Sequence, residues 1–515
     1  MFLKRLYLKP FNFQLDLKHL WCLAVLTGIF AFLNTHPIRP QDFWWHMVVG
    51  QEIITTHQIP ATDTFSFTMP GAPYPSYKAF WLMDTALYSI YTLGGPTLIV
   101  FVHSLTITAA YTILLWLCYR ISKNWRIAAA CTLFAAALGF NDWNVRPQAV
   151  AFPIAALFLL IIHIYHKQGK NKWISIFPLG ILIWVNSHGT YPLGLLLLGL
   201  WITDEIWQTL KDNITKNIPW NWARLKAPTA ALLITSLTCL LNPKGIKIMT
   251  YLNTMSGNAI IQNMVPEWAP PSFNTMGGAL FLIGFLLSTT ILAISPKRPN
   301  ISELLTFLAF GGLSLRTSRG IIWFGITMAP VLARHTQATT TQIAQWLPQK
   351  QTTRSQKKIQ RIMNSSLALC LLLGALLSLP WFKACLPLPP EKAPIISSET
   401  PIEATAFLQQ NPQPGQLFHA MSFGSYLIWA TQPNYPVFVD SRIELYPLEI
   451  WREYIKISNA DCGWEQLLDK YHVQTLFLSI QDQPNLINAT KFHPSWERIY
   501  EDDHAIILKK RIILE

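Results

Sequence analysis

The sequence predicts a polytopic α-helical membrane protein that ends in a small α/β domain. Apolar residues make up 51% of the 515 residues, charged residues make up only 13%, and the mean hydropathy is positive. Apolar runs of about twenty residues recur along the chain, and runs of this length match the hydrocarbon core of a bilayer. After residue 397 the charge density becomes ordinary and short apolar segments alternate with mixed ones, a pattern typical of an α/β domain.

Hydropathy predicts about eleven transmembrane helices in residues 1–385. A proline-rich linker follows at 386–396, and the C-terminal domain covers 397–515. The predicted spans are 19–35, 97–118, 126–141, 148–165, 173–187, 190–207, 227–242, 277–294, 301–315, 320–334 and 364–383.

Lysine and arginine residues concentrate before the first span and after every even-numbered span. The N-terminal group is Lys4, Arg5 and Lys9. Because cytoplasmic loops carry an excess of these residues, the N-terminus is predicted in the cytoplasm and the C-terminal domain outside it. The net charge of +13 thus reflects topology, and we predict no nucleic-acid partner.

The first outer loop, residues 35–96, is long and rich in aromatic residues. Loops of this length are usually functional or disordered, and the aromatic content argues against disorder. Residues 79–93 are apolar enough for a span, but an extra span would reverse the charge asymmetry of every later loop. We therefore predict an interfacial helix here, with Asp84 on its wetter side.

Charged, amide and imidazole groups gather at the predicted outer ends of the spans. Polar residues at membrane depth are costly and usually face a cavity, so this concentration predicts a polar cavity that opens to the outside. The residues concerned are Asp42, His46, Arg146, Asn186, His188, Lys244, Glu267, Arg316 and Arg319.

Four of these residues are candidates for binding a phosphate group. They are positively charged but lie on the predicted outer side, where few lysine and arginine residues are expected. Arginine in particular binds phosphate oxygens with paired hydrogen bonds. The alternative for each is an interfacial side chain that only anchors the helix end. The four candidates are Arg146, Lys244, Arg316 and Arg319.

Asp42, followed one helical turn later by His46, could act as a general base toward an acceptor hydroxyl. Asp42 could instead hold a divalent cation together with His46, His188 or Glu267. A third interpretation makes this stretch an amphipathic interfacial helix that is anchored by its tryptophans.

Asn186 and His188 either line the predicted cavity or cap the ends of spans. Glu267 either orders its proline-flanked loop or contacts an acceptor substrate.

Several motifs resemble those of a group of bacterial integral membrane proteins of the mannosyltransferase-like kind, and through them the GT-C superfamily of polyprenyl-phosphate-sugar-dependent glycosyltransferases. The resemblance covers most of the chain. The motifs are Asp42-x-Trp-Trp-His46, Ile59-Pro-x-Thr-Asp63-x-Phe-Ser-Phe, Arg146-Pro-Gln148, Trp184-Val-Asn186-x-His188-Gly, Asn242-Pro-x-Gly245, Glu267-Trp-x-Pro-Pro, Gly424-x-Tyr-Leu-Ile-Trp429 and Val439-Asp440-x-Arg442.

The resemblance implies a GT-C-like enzyme of the bacterial inner (plasma) membrane. Such an enzyme transfers a sugar from a polyprenyl phosphate to a protein, lipid or glycan acceptor outside the membrane. The resemblance places the catalytic carboxylate at Asp42, although this chain has one Asp there rather than an acidic pair. Asp440, Arg442 and Glu444 in the tail are candidates for acceptor binding.

Two other functions fit the sequence. One is a non-catalytic membrane subunit of a larger complex. The other is a lipid-linked oligosaccharide ligase or transporter, although a transporter should carry polar residues at the membrane midplane or on both faces.

Overall fold

The computed structural model describes residues 15–74, 76–169, 171–250, 265–346 and 354–511. Residues before the C-terminal domain form helices α1 (Leu17–Asn34), α2 (Phe43–Thr56), α3 (Tyr77–Ser122), α4 (Trp125–Gly139), α5 (Ala151–Gln168), α6 (Ile176–Val185), α7 (Pro192–Lys216), α8 (Trp222–Thr238), α9 (Met276–Ile294), α10 (Ile301–Arg316), α11 (Ile321–Ala344) and α12 (Arg354–Leu377).

Each predicted span falls on one of these helices. Six helical stretches of the described chain are long and apolar enough to cross a membrane, so a membrane-embedded helical fold is confirmed and the span count of eleven stays a prediction. The basic residues Lys4, Arg5 and Lys9, which helped to orient the N-terminus, lie outside the described residues.

Asparagine side chains set the start of two of the helices. Asn124 accepts a hydrogen bond from the backbone N–H of Arg126 at 3.0 Å, which caps α4. Asn300 caps α10 by accepting from the backbone of Glu303 at 2.8 Å, and the Glu303 carboxylate accepts in return from the backbone of Asn300 at 2.9 Å. These caps fix where the chain turns back into the bundle.

Helix α3 is two helical segments joined by a kink at Gly94 and Gly95, where Gly95 adopts a positive φ of 64°. The segment 77–93 confirms the predicted helix of the first outer loop. The expectation for Asp84 was wrong, because its exposed fraction is 0%. A Cβ on Gly50 of α2 would lie 2.1 Å from the Asp84 backbone oxygen, so this glycine lets α2 close directly over Asp84.

The C-terminal domain has a mixed four-stranded sheet in the order β1-β2-β4-β3. Strands β1 and β2 are parallel, and the other pairs are antiparallel. Its elements are α13 (Ile402–Gln410), β1 (Gln416–His419), α14 (Met421–Thr431), α15 (Leu448–Ser458), α16 (Trp464–Lys470), β2 (Val473–Ser479), α17 (Pro484–Thr490), β3 (Trp496–Glu501) and β4 (Ala505–Lys510).

Residues 436–440 are apolar enough to predict a strand, but this prediction is wrong, since the segment makes only an isolated bridge between Val437 and Ser66. Helix α14, helix α17 and strand β3 were not predicted.

The C-terminal domain and the first outer loop share one hydrophobic core. Trp45, Phe65 and Tyr77 of the first outer loop pack with the buried side chains of the domain. The backbone N–H of Trp45 also donates to Ser425 Oγ at 3.0 Å. The domain is therefore held directly over α2, where Asp42 and His46 lie.

Candidate active site

A cavity of about 380 Å³ lies between the predicted outer turns and the C-terminal domain. Six of the site residues predicted before the C-terminal domain line it, although they come from distant parts of the chain. They are Asp42, His46, Arg146, His188, Glu267 and Arg319. The domain completes the wall with Met421, Ser422, Ser441, Ile443 and Glu444.

Four of these side chains form a continuous chain of ion pairs, called here the cavity cluster. Arg146 Nε lies 3.3 Å from Asp42 Oδ2, and Arg146 Nη1 lies 2.8 Å from both Glu267 oxygens. Arg319 Nε donates to Glu267 Oε2 at 2.9 Å, and Arg319 Nη2 lies 2.8 Å from the same oxygen. All four side chains stay partly exposed, between 17% and 31%.

Burial and the cavity cluster together set the pKa values of the titratable groups around the cavity. Burial by itself would raise the pKa of the Glu267 carboxyl, but Arg146 and Arg319 outweigh it and hold that pKa at about 2. Burial raises the pKa of nearby Asp142 to about 7, and the Glu267 charge adds to this rise. Burial lowers the pKa of His188 to about 3, with a smaller contribution from Arg319, so its imidazole stays neutral.

His46 is paired with Asp84 rather than with Asp42. Its Nδ1 lies 2.6 Å from Asp84 Oδ1, and its ring stacks on Trp45 with centroids 3.6 Å apart. Asp84 was missed as a site residue because it was assigned to the wet face of an interfacial helix. An acid within an apolar helix, opposite a histidine of the same loop, was the signal available.

A second residue missed by the sequence analysis is Arg39, which lines the cavity and is exposed. Within the described ranges, no carboxylate lies within ion-pair distance of its guanidinium group. The cavity thus contains one arginine that no acid of the described chain neutralises, beside two that share Glu267.

Two solved structures have a similar fold over 95% of this chain. One is an archaeal oligosaccharyltransferase, AglB from Archaeoglobus fulgidus, in complex with an inhibitory peptide and a dolichol-phosphate; it matches over 74% of its own length, with 10% identity and a TM-score of 0.52. The other is ArnT from Cupriavidus metallidurans bound to undecaprenyl phosphate, which matches over 97% of its length, with 12% identity and a TM-score of 0.51. No family model and no curated protein matches the sequence. The chain therefore shares the overall fold of these two membrane proteins.

Three of the residues predicted to line the cavity lie outside it. Lys244 is partly buried, and burial lowers its pKa to about 8. Arg316, at the end of α10, is exposed and is not among the described residues that line the cavity. Asn186 is buried and accepts hydrogen bonds from Trp81 Nε1 at 2.7 Å and Asn242 Nδ2 at 3.1 Å. These bonds match the structural alternative for Asn186 rather than a role in the cavity.

Asp440 and Arg442, the candidates for acceptor binding, have no accessible surface. The Arg442 guanidinium donates to Asp440 Oδ1 at 2.9 Å and also bonds to Asp63 and Tyr77. Tyr446 Oη donates to Asp440 Oδ2 at 2.6 Å. An acceptor cannot reach these groups, so we assign this buried cluster to holding the C-terminal domain on the first outer loop.

The donor set of the cavity fits a divalent cation poorly. Asp42 and Glu267, the carboxylates proposed for it, are both paired with Arg146. Among the described residues no group of three or more His, Cys, Asp or Glu side chains could hold a metal ion. We therefore derive no step through a cation.

Proposed function

We propose that the protein is a membrane glycosyltransferase that moves a sugar from a polyprenyl-phosphate donor to an acceptor on the extracytoplasmic side of a bacterial inner membrane. The observation that carries this proposal is the gathering of Asp42 with three arginines around one cavity. The two structures of similar fold were bound to polyprenyl phosphates, which supports a donor of that class.

The arginines supply the charge that a phosphate group needs. Arg39 has no carboxylate partner among the described residues, and Arg319 uses Nε and Nη2 on Glu267. No described side chain or backbone group accepts a hydrogen bond from Arg319 Nη1, so this donor remains for a substrate. Charge-assisted hydrogen bonds to phosphate are among the strongest that side chains make. We assign Arg39 and Arg319 to the donor phosphate. Arg146, whose Nε, Nη1 and Nη2 already contact Asp42, Glu267 and Gln41, holds the cluster in place.

Asp42 is the proposed general base. It takes the proton of an acceptor hydroxyl as the acceptor oxygen bonds to the anomeric carbon of the sugar. The bond from that carbon to the phosphate oxygen breaks, and the lipid phosphate leaves with the electron pair. Arg146, 3.3 Å from Asp42 Oδ2, keeps the carboxylate at the edge of the cavity where the phosphate would bind.

The acceptor would enter beside the C-terminal domain. Glu444 is held in the cavity wall by Tyr74 Oη at 2.6 Å and Ser76 Oγ at 2.9 Å, so its carboxylate has a fixed position. Ser422 and Ser441 add hydroxyl groups to the same wall. We propose that this wall contacts the acceptor, in place of the buried Asp440 and Arg442.

The test is transfer by the purified protein from an undecaprenyl-phosphate sugar, for the wild type and Asp42→Asn. The variant should lose about 100-fold to 10,000-fold in rate, the usual contribution of a general base, while its melting temperature changes little. Asp503→Asn, an exposed acid of the C-terminal domain, is the matched control and should keep full activity. Full activity of Asp42→Asn would remove it from the mechanism, and an inactive wild type would favour the non-catalytic subunit.

A further inference from the structure

Asp84 is completely buried, and only one of its two carboxylate oxygens has a hydrogen-bond partner. Its Oδ1 is 2.6 Å from His46 Nδ1, whereas its Oδ2 is buried and has no hydrogen-bond partner. Within the part of the chain that the structure describes, His46 is the one group in ion-pair contact with it. Whatever compensates the charge of Asp84 must therefore come from His46.

A buried carboxylate without compensation costs several kcal/mol, about as much as a lost buried ion pair. The Asp84–His46 pair therefore holds two protons and is neutral overall. Three arrangements meet this condition, but one of them, with the acid proton on Oδ2 and a bare Nε2, is disfavoured because Oδ2 has no hydrogen-bond acceptor for that proton. The other two are an ionised Asp84 beside an imidazolium, or a protonated Asp84 that donates to Nδ1 of a neutral ring. In both arrangements the second ring nitrogen, His46 Nε2, carries a proton.

His46 Nε2 has no hydrogen-bond partner among the described residues, and it is not among the buried unpaired atoms. The imidazole lines the cavity, and its orientation is fixed by the stack on Trp45 and by the edge of Phe80, with centroids 5.8 Å apart. The pair thus presents a rigid N–H donor to the cavity that holds Arg146 and Arg319.

We infer that His46, kept protonated at Nε2 by Asp84, is a binding residue for an anionic phosphate oxygen and not a general base. This inference rests on the proposed function and deepens it. Releasing the Nε2 proton would leave a net charge on a buried pair, so the same burial that supplies the donor opposes proton transfer. Asp84 is then a positioning residue that acts through His46.

The protonation of the ring can be measured directly, without any ligand. In protein labelled with ¹⁵N-histidine, the His46 signal is assigned by its loss in His46→Phe. We expect the ¹⁵N shift of a protonated Nε2 at pH 7.5. A bare Nε2 at this pH would overturn the inference.

Binding is tested with a pair of variants that separates structure from recognition. His46→Phe keeps an aromatic ring on Trp45 but leaves Asp84 uncompensated, so it should lower the melting temperature. His46→Phe combined with Asp84→Leu removes the buried charge and should restore the melting temperature. Its affinity for undecaprenyl phosphate should nevertheless remain about 10-fold to 100-fold weaker, the value of one charge-assisted hydrogen bond. The control is His504→Gln, on an exposed turn.

The outcomes are distinct. Inorganic phosphate, used as a competitor, shows whether the contact is to the phosphate group itself or only to a lipid-borne phosphate; a weaker double variant with either probe supports the inference. A stable double variant that binds both probes like the wild type overturns it and leaves the proposed function intact. If the wild type binds neither probe, the proposed function fails as well.

Discussion

Two arginine–carboxylate clusters lie close to each other in this protein and have opposite accessibility. The cavity cluster of Asp42, Arg146, Glu267 and Arg319 keeps between 17% and 31% of each side chain exposed. The buried cluster around Arg442 has 0% exposure at Asp63, Asp440 and Arg442. The same residue types therefore serve two purposes, which their surroundings decide.

The difference shows what an arginine needs in order to bind a substrate. Arg442 donates hydrogen bonds from Nε, Nη1 and Nη2 to Asp440, Asp63 and Tyr77, and all of these partners are buried. Arg319 keeps Nη1 for a substrate, and its guanidinium group lies over the Trp268 ring at 5.2 Å. Four predictions test this distinction between the buried cluster and the cavity cluster. The largest effect concerns the buried cluster.

Replacing Arg442 by methionine should destabilise the protein by about 3–5 kcal/mol, because it leaves Asp63 and Asp440 as buried, uncompensated charges. Chemical or thermal unfolding in detergent measures the loss. Arg498→Met is the control, since the pair of Arg498 with Glu501 is 57% and 45% exposed and such surface pairs contribute about 0–1 kcal/mol. Equal stabilities of the two variants would remove the distinction between the clusters.

Much of the cavity cluster could be predicted from the sequence, because Asp42, Arg146, Glu267 and Arg319 all lie in polar turns at the same predicted side of the membrane. Helix positions could also be predicted from hydropathy. Contacts across long separations could not: Asp63 and Arg442 are 379 positions apart, and nothing local shows that they bury each other.

A motif such as Val439-Asp440-x-Arg442 looks the same whether it is exposed or enclosed. Asp84 was wrongly predicted to be exposed for a similar reason. Helix α2 covers Asp84 only because Gly50 has no side chain, and the local sequence does not show this contact.

Gly50→Ala should destabilise the protein by about 1–3 kcal/mol, since its Cβ would lie 2.1 Å from the Asp84 backbone oxygen and 2.9 Å from Tyr88 Cβ. The separation of α2 from α3 should also weaken sugar transfer, because His46 and Asp42 move with α2. Gly199→Ala, in α7, has nothing within 4 Å of the added atom and should leave stability unchanged or slightly raised. If both alanines behave alike in unfolding experiments, the close approach at Gly50 is not required.

Arg319→Gln should weaken the binding of undecaprenyl phosphate by about 1–3 kcal/mol, the range for a hydrogen bond to a charged group. Arg316→Gln is the matched control, because Arg316 is three positions away, exposed, and outside the cavity lining. Titration of the lipid in detergent measures both affinities. Equal losses would show that general interfacial charge, rather than the cavity cluster, attracts the lipid.

The last prediction concerns the pH dependence of stability. The pKa of Asp142 rises from 3.8 to about 7 in the folded protein, mainly by burial. The folded state therefore keeps a proton that the unfolded chain has already released, and stability falls as the pH rises from about 4 to about 7.

Asp142→Asn cannot ionise, so its stability relative to the wild type should rise as the pH rises from about 4 to about 7, with no gain near pH 4. Unfolding at both pH values measures the difference. A constant difference between wild type and variant at all pH values would contradict the raised pKa.

The central claim is that the cavity holds the phosphate of a lipid-linked sugar donor. The most direct measurement is an experimental structure of the protein with undecaprenyl phosphate. We expect the phosphate density within hydrogen-bond distance of Arg39, Arg319 and His46 Nε2, beside Asp42. Density for the phosphate outside the cavity, for example at Lys244 or Arg316, would contradict the proposed function.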